Sequence, residues 1–186
     1  MVRLAAPRRV EDLVLAARPE VVPTAGRSQA LVLGPGIDPA DAARADELRA
    51  VLRPTLIRAP GRGTEDADGT DGGNSAAGTT SGGPPAVVDA GALSILAELL
   101  AQGLTCTPLH VLTPHAGEAA ALLTALAVLE TSAEAAHGWT RERVEAHPAR
   151  AVRELSRLTG GTVLLKGATT LIAAPDRPLV SVDCGP

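Results

Sequence analysis

The stretch Val163-Leu-Leu-Lys-Gly-Ala-Thr-Thr170 is an apolar run that ends in a turn carrying a cation and two hydroxyl groups. A second stretch, His110-Val-Leu-Thr-Pro-His-Ala-Gly-Glu118, has the same design with an imidazole and a carboxylate after the apolar run. Each run is typical of a buried strand, and each turn offers groups that bind or polarise a ligand. We predict that the two stretches are two walls of one site.

Lys166, in the first of these turns, is the only lysine among the 17 lysine and arginine residues of the chain. Lysine carries a compact charge with three donors, whereas arginine carries a wide planar fork. A composition that uses arginine everywhere else indicates a position where the fork does not fit. The alternative is that one lysine remains by compositional chance.

Composition restricts the class of protein. With 186 residues, 45% of them hydrophobic, the chain has the size of one globular domain. It has no Phe or Tyr and a single Trp139, so Leu, Val, Ile and Ala must fill a core of helices layered on a sheet. The net charge of −4 and scattered arginines argue against nucleic acid as a partner. We interpret Cys106 and Cys184 as reduced thiols, so we expect a cytoplasmic protein. The sequence contains no run of eighteen apolar residues, so it gives no prediction of a membrane span.

Short apolar runs alternate with amphipathic segments along the chain. Asp38 is the predicted N-cap of one helix, with Pro39 in its first position. The predicted strands are 2–6, 30–33, 86–90, 109–112, a hairpin of 162–166 with 170–174, and 179–183; the predicted helices are 8–18, 39–52, 91–102, one from the Thr113–Glu118 turn to about 129, and 150–158. The segment 133–148 has no clear period and is interpreted as a surface helix and loop. This alternation predicts an α/β fold with a largely parallel central sheet.

The segment 60–85 interrupts that alternation. It contains eight glycines and no Leu, Ile or Val, so it cannot bury enough apolar surface to offset the entropy of ordering it. We interpret it as a flexible insertion within one domain. A linker between two domains is the weaker alternative, because the residues before it would make a poor independent core.

Four turns directly follow predicted strands. Ligands of parallel sheets bind beyond the carboxyl ends of the strands, so we expect all four turns at one edge, around one cleft. The turns are Gly34-Pro-Gly36, Asp89-Ala-Gly-Ala-Leu93, Thr113–Glu118 and Lys166–Thr170.

Each turn has a functional and a structural interpretation. Gly36 can let the backbone approach a ligand, or serve a tight turn only. Asp89 can hold a metal-bound water, or cap the following helix, and capping is slightly favoured. His115 lies at a helix start, where a polar or anionic ligand is favoured, and Glu118 can orient it without acting as a general base. Lys166 with its neighbouring N–H groups and hydroxyls suits phosphate oxygens.

The remaining histidines, His110, His137 and His147, lack such neighbours and are interpreted as surface residues or filler. No spacing of His and Cys matches a zinc site, and we predict no metal ligand among the side chains.

Four motifs together resemble the ADP-dependent NAD(P)H-hydrate dehydratase family, and the resemblance runs through the whole chain outside the insertion. They are Leu33-Gly-Pro-Gly36, Val88-Asp-Ala-Gly-Ala-Leu93, Leu112-Thr-Pro-His-Ala-Gly-Glu-Ala-Ala-Ala-Leu-Leu123 and Leu165-Lys-Gly-Ala-Thr-Thr170. The resemblance implies a three-layer ribokinase-like domain, here incomplete. It also implies a homo-oligomer for the intact family member.

The resemblance assigns residues as well. Gly36 and His115 would contact the substrate, NADHX or NADPHX, and Lys166, Gly167, Ala168, Thr169 and Thr170 would bind the phosphates of ADP. ADP with Mg²⁺ would phosphorylate the unwanted hydroxyl, and loss of phosphate would restore the nicotinamide ring.

Two family segments have no match here: the opening glycine-rich strand and helix, and a Gly-x-Gly-Asp turn beyond the position of Pro186. That turn holds the family's catalytic Asp and stabilises the transferring group, so we expect little turnover from this chain alone. Two alternatives stay open: a vitamin-pathway kinase of the same fold, and a non-catalytic nucleotide-binding fragment. Uncovered sheet and helix faces would cause self-association.

Overall fold

A computed structural model describes residues 1–23, 26–59, 83–127 and 138–183. The chain forms two compact units, Met1–Leu31 and Val32–Pro186. The helices are α1 (Arg8–Ala17), α2 (Ala42–Leu52), α3 (Gly91–Ala101), α4 (Ala116–Ala127), α5 (Arg141–Ala146) and α6 (Pro148–Thr159). The strands are β1 (Leu31–Leu33), β2 (Ile57–Arg58), β3 (Ala86–Val88), β4 (Leu104–Thr105), β5 (His110–Leu112), β6 (Thr162–Leu165), β7 (Thr169–Ala173) and β8 (Val180–Asp183).

The first unit is built around α1, which contains no buried residue. The segments before and after α1 are joined by a single parallel bridge between Arg3 and Val22. The predicted strand at 2–6 is therefore wrong, because the segment pairs at one residue instead of along a ladder.

The second unit contains a six-stranded sheet with the order β1-β3-β5-β6-β7-β8. β3, β5 and β6 are parallel neighbours, while β6 and β7 form the predicted antiparallel hairpin and β8 adds to its far side. β2 and β4 pair in a separate two-stranded ribbon that the sequence did not indicate. The predicted α/β class is confirmed, with parallel strands at the centre of the sheet and antiparallel strands at one edge.

The start of α2 differs from the prediction. The Asp41 carboxylate accepts the Arg44 N–H at 3.2 Å and caps the helix, whereas Asp38 accepts an N–H two residues later in the preceding turn. Asp38 and Asp41 can each accept a hydrogen bond from a nearby backbone N–H, and the helix begins after Asp41. Ala42, the first residue of the helix, is exposed.

The core of the second unit is aliphatic, as the composition requires. Leu96 and Leu99 of α3, Leu123 of α4 and Leu155 of α6 are fully buried against the sheet, and Trp139 is partly buried beside them. Burial raises the pKa of the Cys106 thiol to about 12, so this residue behaves as a small apolar side chain.

His110 is part of this core, with 1% of its surface exposed, so it is filler, the second of the two interpretations given from the sequence, and not a surface residue. Its Nδ1 accepts the Thr107 N–H at 3.1 Å, and its Nε2 lies 2.9 Å from the Thr55 hydroxyl, which itself donates to the Leu52 carbonyl. Burial disfavours the protonated ring and lowers the pKa of His110. Both nitrogens are paired, which explains how a histidine is tolerated there.

Several predictions fall on residues outside the described ranges. These are most of the insertion at 60–85, His137, Cys184 and the last residues of the helix predicted to reach about 129. Among the described residues, no helix has both the length and the apolar character needed to cross a membrane.

Candidate functional site

The turns after β5 and β6 lie side by side at one edge of the sheet. The Lys166 N–H donates to the Pro114 carbonyl at 2.9 Å, and His115 and Lys166 form an isolated parallel bridge. The lone ammonium group and the imidazole therefore belong to adjacent backbone segments, as the two opening sequence stretches predicted.

Asp89, which follows β3, reaches into this group. Its Oδ1 accepts a hydrogen bond from Lys166 Nζ at 2.8 Å, and the Thr113 side chain and the Ala90 N–H also bond to the carboxylate. Burial raises the pKa of the Asp89 carboxyl, but the hydrogen bonds from Lys166, Thr113 and Ala90 outweigh it and hold that pKa below its ordinary value. Asp89 is thus an ionised partner of Lys166.

Asp89 does not cap α3. The helix begins after Ala90, which has a positive φ of 45°, and no side chain caps it. The favoured sequence interpretation is therefore wrong, because the carboxylate is used by a lysine 77 residues away.

His115 and Glu118 form a reciprocal cap at the start of α4. His115 Nδ1 accepts the N–H groups of Gly117 at 3.0 Å and Glu118 at 3.2 Å, and Glu118 Oε2 accepts the His115 N–H at 2.8 Å. This is the geometry of a capping box, with an imidazole in place of the usual hydroxyl. Because Nδ1 accepts N–H groups, the neutral ring carries its proton on Nε2.

Glu118 lies close to both His115 and Lys166. Its Oε1 lies 3.6 Å from His115 Nε2, and its Oε2 lies 4.0 Å from Lys166 Nζ. Glu118 therefore orients His115, as expected, and lies close enough to Lys166 to share its charge.

A cleft of about 800 Å³ opens beside this group. Its lining includes His115, the turn from Lys166 to Thr169, residues of α5, and the apolar side chains of Leu165 and Leu171. The volume and the mixture of apolar lining residues with a few polar groups are typical of small-molecule sites.

Most of the residues predicted to bind phosphate line this cleft, but one does not. Lys166, Gly167, Ala168 and Thr169 are at its surface. Thr170 follows Thr169 along β7, and successive side chains of a strand point to opposite faces, so Thr170 faces away from the cleft.

Gly36 is also not part of the cleft lining, although its turn lies at the same edge of the sheet. The Asp89 N–H donates to the Leu33 carbonyl at 3.0 Å, and a Cβ on Gly34 would lie 1.8 Å from the Asp89 carbonyl oxygen. Gly36 itself has open space where a Cβ would be, and a φ of 75°. Gly34 is thus needed for packing, and Gly36 is free to meet a ligand.

α5 lies in the segment 133–148, which was interpreted from the sequence as a surface helix and loop, and its place beside the cleft was not predicted. Arg141 and Glu145 lie on the cleft and pair with each other at 2.8 Å, and Thr140 caps the helix by accepting the Arg143 N–H. Arg143 stacks over the Trp139 ring at 5.0 Å. A six-residue helix gives little periodicity, and only the Thr-x-x-Arg start could have indicated it.

Comparison with known proteins agrees with this arrangement. A family model described as NAD(P)H-hydrate dehydratase matches residues 77–186, which include Asp89, His115, Glu118 and Lys166. The ADP-dependent (S)-NAD(P)H-hydrate dehydratase of Neisseria meningitidis serogroup B is 39% identical over 106 residues, covering 54% of this chain and 30% of that protein.

Solved structures share the fold at low identity. An ADP/ATP-dependent NAD(P)H-hydrate dehydratase from Bacillus subtilis, co-crystallised with ATP/Mg²⁺ and soaked with CoA, superposes with a TM-score of 0.57 at 17% identity, covering 96% of this chain and 53% of that one. A ribokinase-like superfamily protein from Enterococcus faecalis gives 0.55 at 14% identity, covering 93% and 49%. The fold is ribokinase-like, and the chain spans about half the length of these structures.

Proposed function

Because this chain belongs to the NAD(P)H-hydrate dehydratase family, we propose that its protein removes water from the hydrated nicotinamide nucleotides NADHX and NADPHX, with ADP as the second substrate. The observation that carries the proposal is the pairing of His115 with Lys166 beside the cleft, within the part of the chain that the family model matches. The activity belongs to the whole protein, since the chain spans only part of its relatives.

The described residues fit a nucleoside diphosphate. The cleft combines apolar lining residues, which suit a base, with a half-exposed lysine side chain, which suits phosphate oxygens. Lys166, Gly167, Ala168 and Thr169 would hold the phosphates. When bound, ADP supplies the phosphoryl group that turns the unwanted hydroxyl into a leaving group.

Mg²⁺ fits the same site as a companion of the phosphates. Within the described ranges, no group of three or more His, Cys, Asp or Glu side chains is placed to hold a metal ion. Mg²⁺ in nucleotide sites commonly takes most of its ligands from phosphate and water, with one or two carboxylates. The chain therefore needs no ready-made cage of side chains for this role.

His115 and Gly36 would meet the substrate. With Nδ1 bound to the start of α4, His115 offers only Nε2 to a ligand, and His115 is among the residues that line the cleft. Gly36 has open space and a φ that favours glycine, so a substrate can approach its backbone closely.

The test is ADP-dependent recovery of the near-ultraviolet absorbance of NADH from purified NADHX, using the full-length protein. We expect His115→Asn to raise the KM for NADHX roughly tenfold, because one hydrogen bond to the substrate is lost while Asn still caps α4. The matched control is His147→Asn, which changes a histidine outside the cleft.

Three results would contradict the proposal: no recovery of absorbance with the full-length protein, recovery that is independent of nucleotide, or a phosphorylated vitamin as the preferred product. The last result would favour the kinase alternative.

A further inference from the structure

We propose that Asp89 is a positioning residue that holds the Lys166 ammonium group in place for the phosphates of ADP. The inference rests on the proposed function and adds a residue that the sequence interpretation had assigned to helix capping. It starts from the 2.8 Å hydrogen bond between Lys166 Nζ and Asp89 Oδ1.

A lysine side chain needs such a partner to bind with a defined geometry. Its four-carbon stem is flexible, and ordering it costs up to about 2 kcal/mol of rotamer entropy. The backbone of Lys166 is fixed by its hydrogen bond to Pro114, but 42% of the side chain is exposed. The bond to Asp89 orders it before the nucleotide arrives.

Asp89 has further polar neighbours. Interactions with the Thr113 side chain and the Ala90 N–H help to lower the pKa of the carboxyl and so favour its ionised form. A carboxylate can accept all three donors because it has no hydrogen of its own. An Asn in this position would have to turn its NH₂ group toward the ammonium or toward the other two donors.

The arrangement also leaves donors for a ligand. The ammonium has three N–H donors and uses one for Asp89, while Glu118 Oε2 at 4.0 Å is beyond hydrogen-bond distance. Without Asp89, Glu118 becomes the nearest carboxylate, and the ammonium is drawn toward α4. The position of Lys166 is thus set by which of the two carboxylates holds it.

The first test compares Asp89→Asn with Glu98→Gln in the full-length protein. The control breaks the 2.7 Å pair between Glu98 and Arg49, which joins α3 to α2 away from the cleft. We expect Asp89→Asn to raise the KM for ADP roughly tenfold, the size expected for loss of one charge-assisted hydrogen bond, with the KM for NADHX unchanged. Asp89→Glu, which restores the carboxylate, should recover part of the loss.

The second test observes the Lys166 side chain directly in the full-length protein. Protein labelled with ¹³C and ¹⁵N only in lysine gives NMR signals from lysine side chains, and the set that is lost in Lys166→Arg belongs to Lys166. We expect a restricted side chain in the unaltered protein and in Glu98→Gln, and a mobile one in Asp89→Asn, before any nucleotide is added. Fluorescence of Trp139 confirms that each variant is folded.

The outcomes separate the two proposals. If the unaltered protein turns over NADHX but Asp89→Asn has the same ADP kinetics and the same lysine signals, the positioning role is overturned and the function stands. A second outcome is that lysine mobility rises in Asp89→Asn but the Lys166 signals of the unaltered protein do not change when ADP is added. The role of Asp89 in nucleotide binding is then overturned together with the proposed ADP site.

Discussion

The buried ring of His110 makes stability depend on pH. Burial lowers the pKa of His110 below its ordinary value of about 6.5, against a smaller raising effect of the hydrogen bond to Thr107. Below about pH 6.5 the unfolded chain takes up a proton that the folded chain refuses. The unfolding free energy should therefore fall with decreasing pH, by up to about 1.4 kcal/mol per pH unit, until the folded-state pKa is reached.

Urea denaturation followed by Trp139 fluorescence at about pH 7.5 and about pH 5 measures this slope. His110→Gln should be less stable than the unaltered protein at the higher pH and should lose the histidine part of the slope. His147→Gln changes a residue at the surface and should keep it. An unchanged slope in His110→Gln would show that another group is responsible.

Gly34 is the second residue whose substitution should measurably lower the unfolding free energy. A Cβ there would meet the Asp89 carbonyl oxygen at 1.8 Å and Ala92 Cβ at 2.8 Å, and the φ of 114° already disfavours other residues. We expect Gly34→Ala to lower the unfolding free energy by about 3 kcal/mol or more. Gly103→Ala, with a φ of 82° and open space, should cost only about 1 kcal/mol. Equal losses in denaturant titrations would contradict the packing argument.

Residue roles were readable from the sequence only where the partner is local. Glu118 lies three residues from His115, so its orienting role could be predicted from helix geometry alone. The partner of Asp89 is 77 residues away, and local rules could offer only a cap or a water ligand. For the same reason the sequence left His110 between a surface residue and filler, because Thr55 supplies one of its two hydrogen bonds from 55 residues away.

Among the secondary-structure elements, β8 at the edge of the sheet is the most exposed. It pairs only with β7 in the described part of the chain, and Val180 and Val182 are 50% and 41% exposed. Edge strands with apolar side chains promote pairing between copies. We expect concentration-dependent association in size-exclusion chromatography, in line with the self-association inferred from the sequence.

Val182→Lys should weaken that association at least tenfold, about 1.4 kcal/mol, because it places like charges where two edges would meet. Leu109→Lys is the matched control, since Leu109 is 57% exposed but lies outside every strand. If both variants associate equally, the contact is not made through β8.

Long, regular elements were predicted well, and short ones were not. α3 and the β6–β7 hairpin were found because four buried leucines in one and alternating apolar residues in the other repeat a clear period. α5 was expected only as part of a surface helix and loop at 133–148, and the β2–β4 ribbon was not expected. Both have too few residues for a period, and packing against the larger elements stabilises them. The start of α2 was predicted wrongly, because Asp38 and Asp41 are both possible N-caps and the sequence does not decide between them.

At the scale of the whole molecule, stability is unevenly distributed. α1 contains no buried residue, while seven residues of α3 are buried. Local opening is cheapest where few apolar contacts are lost. Hydrogen exchange followed by mass spectrometry should therefore show α1 exchanging well before α3, whose amides should approach the protection of global unfolding. Comparable protection of the two helices would contradict this view.

The ribokinase-like architecture could be predicted because its layers repeat one pattern along the chain. Four turns were expected at one sheet edge, and those that carry Asp89, His115 and Lys166 meet there. The exact lining of the cleft could not be predicted, since Thr170 is turned away by strand alternation and Gly36 lies outside the lining. These details depend on side-chain direction, which sequence spacing alone does not determine.

The cap that His115 places on α4 limits what this ring can do in a reaction. With one nitrogen bound to the helix backbone and the other carrying hydrogen, the neutral ring can only give a hydrogen bond to whatever enters the cleft. A carbonyl or hydroxyl oxygen could accept this hydrogen bond, whereas an amide NH₂ group, which is itself a donor, could not. The orientation of a nicotinamide carboxamide would therefore be decided by the folding of a helix.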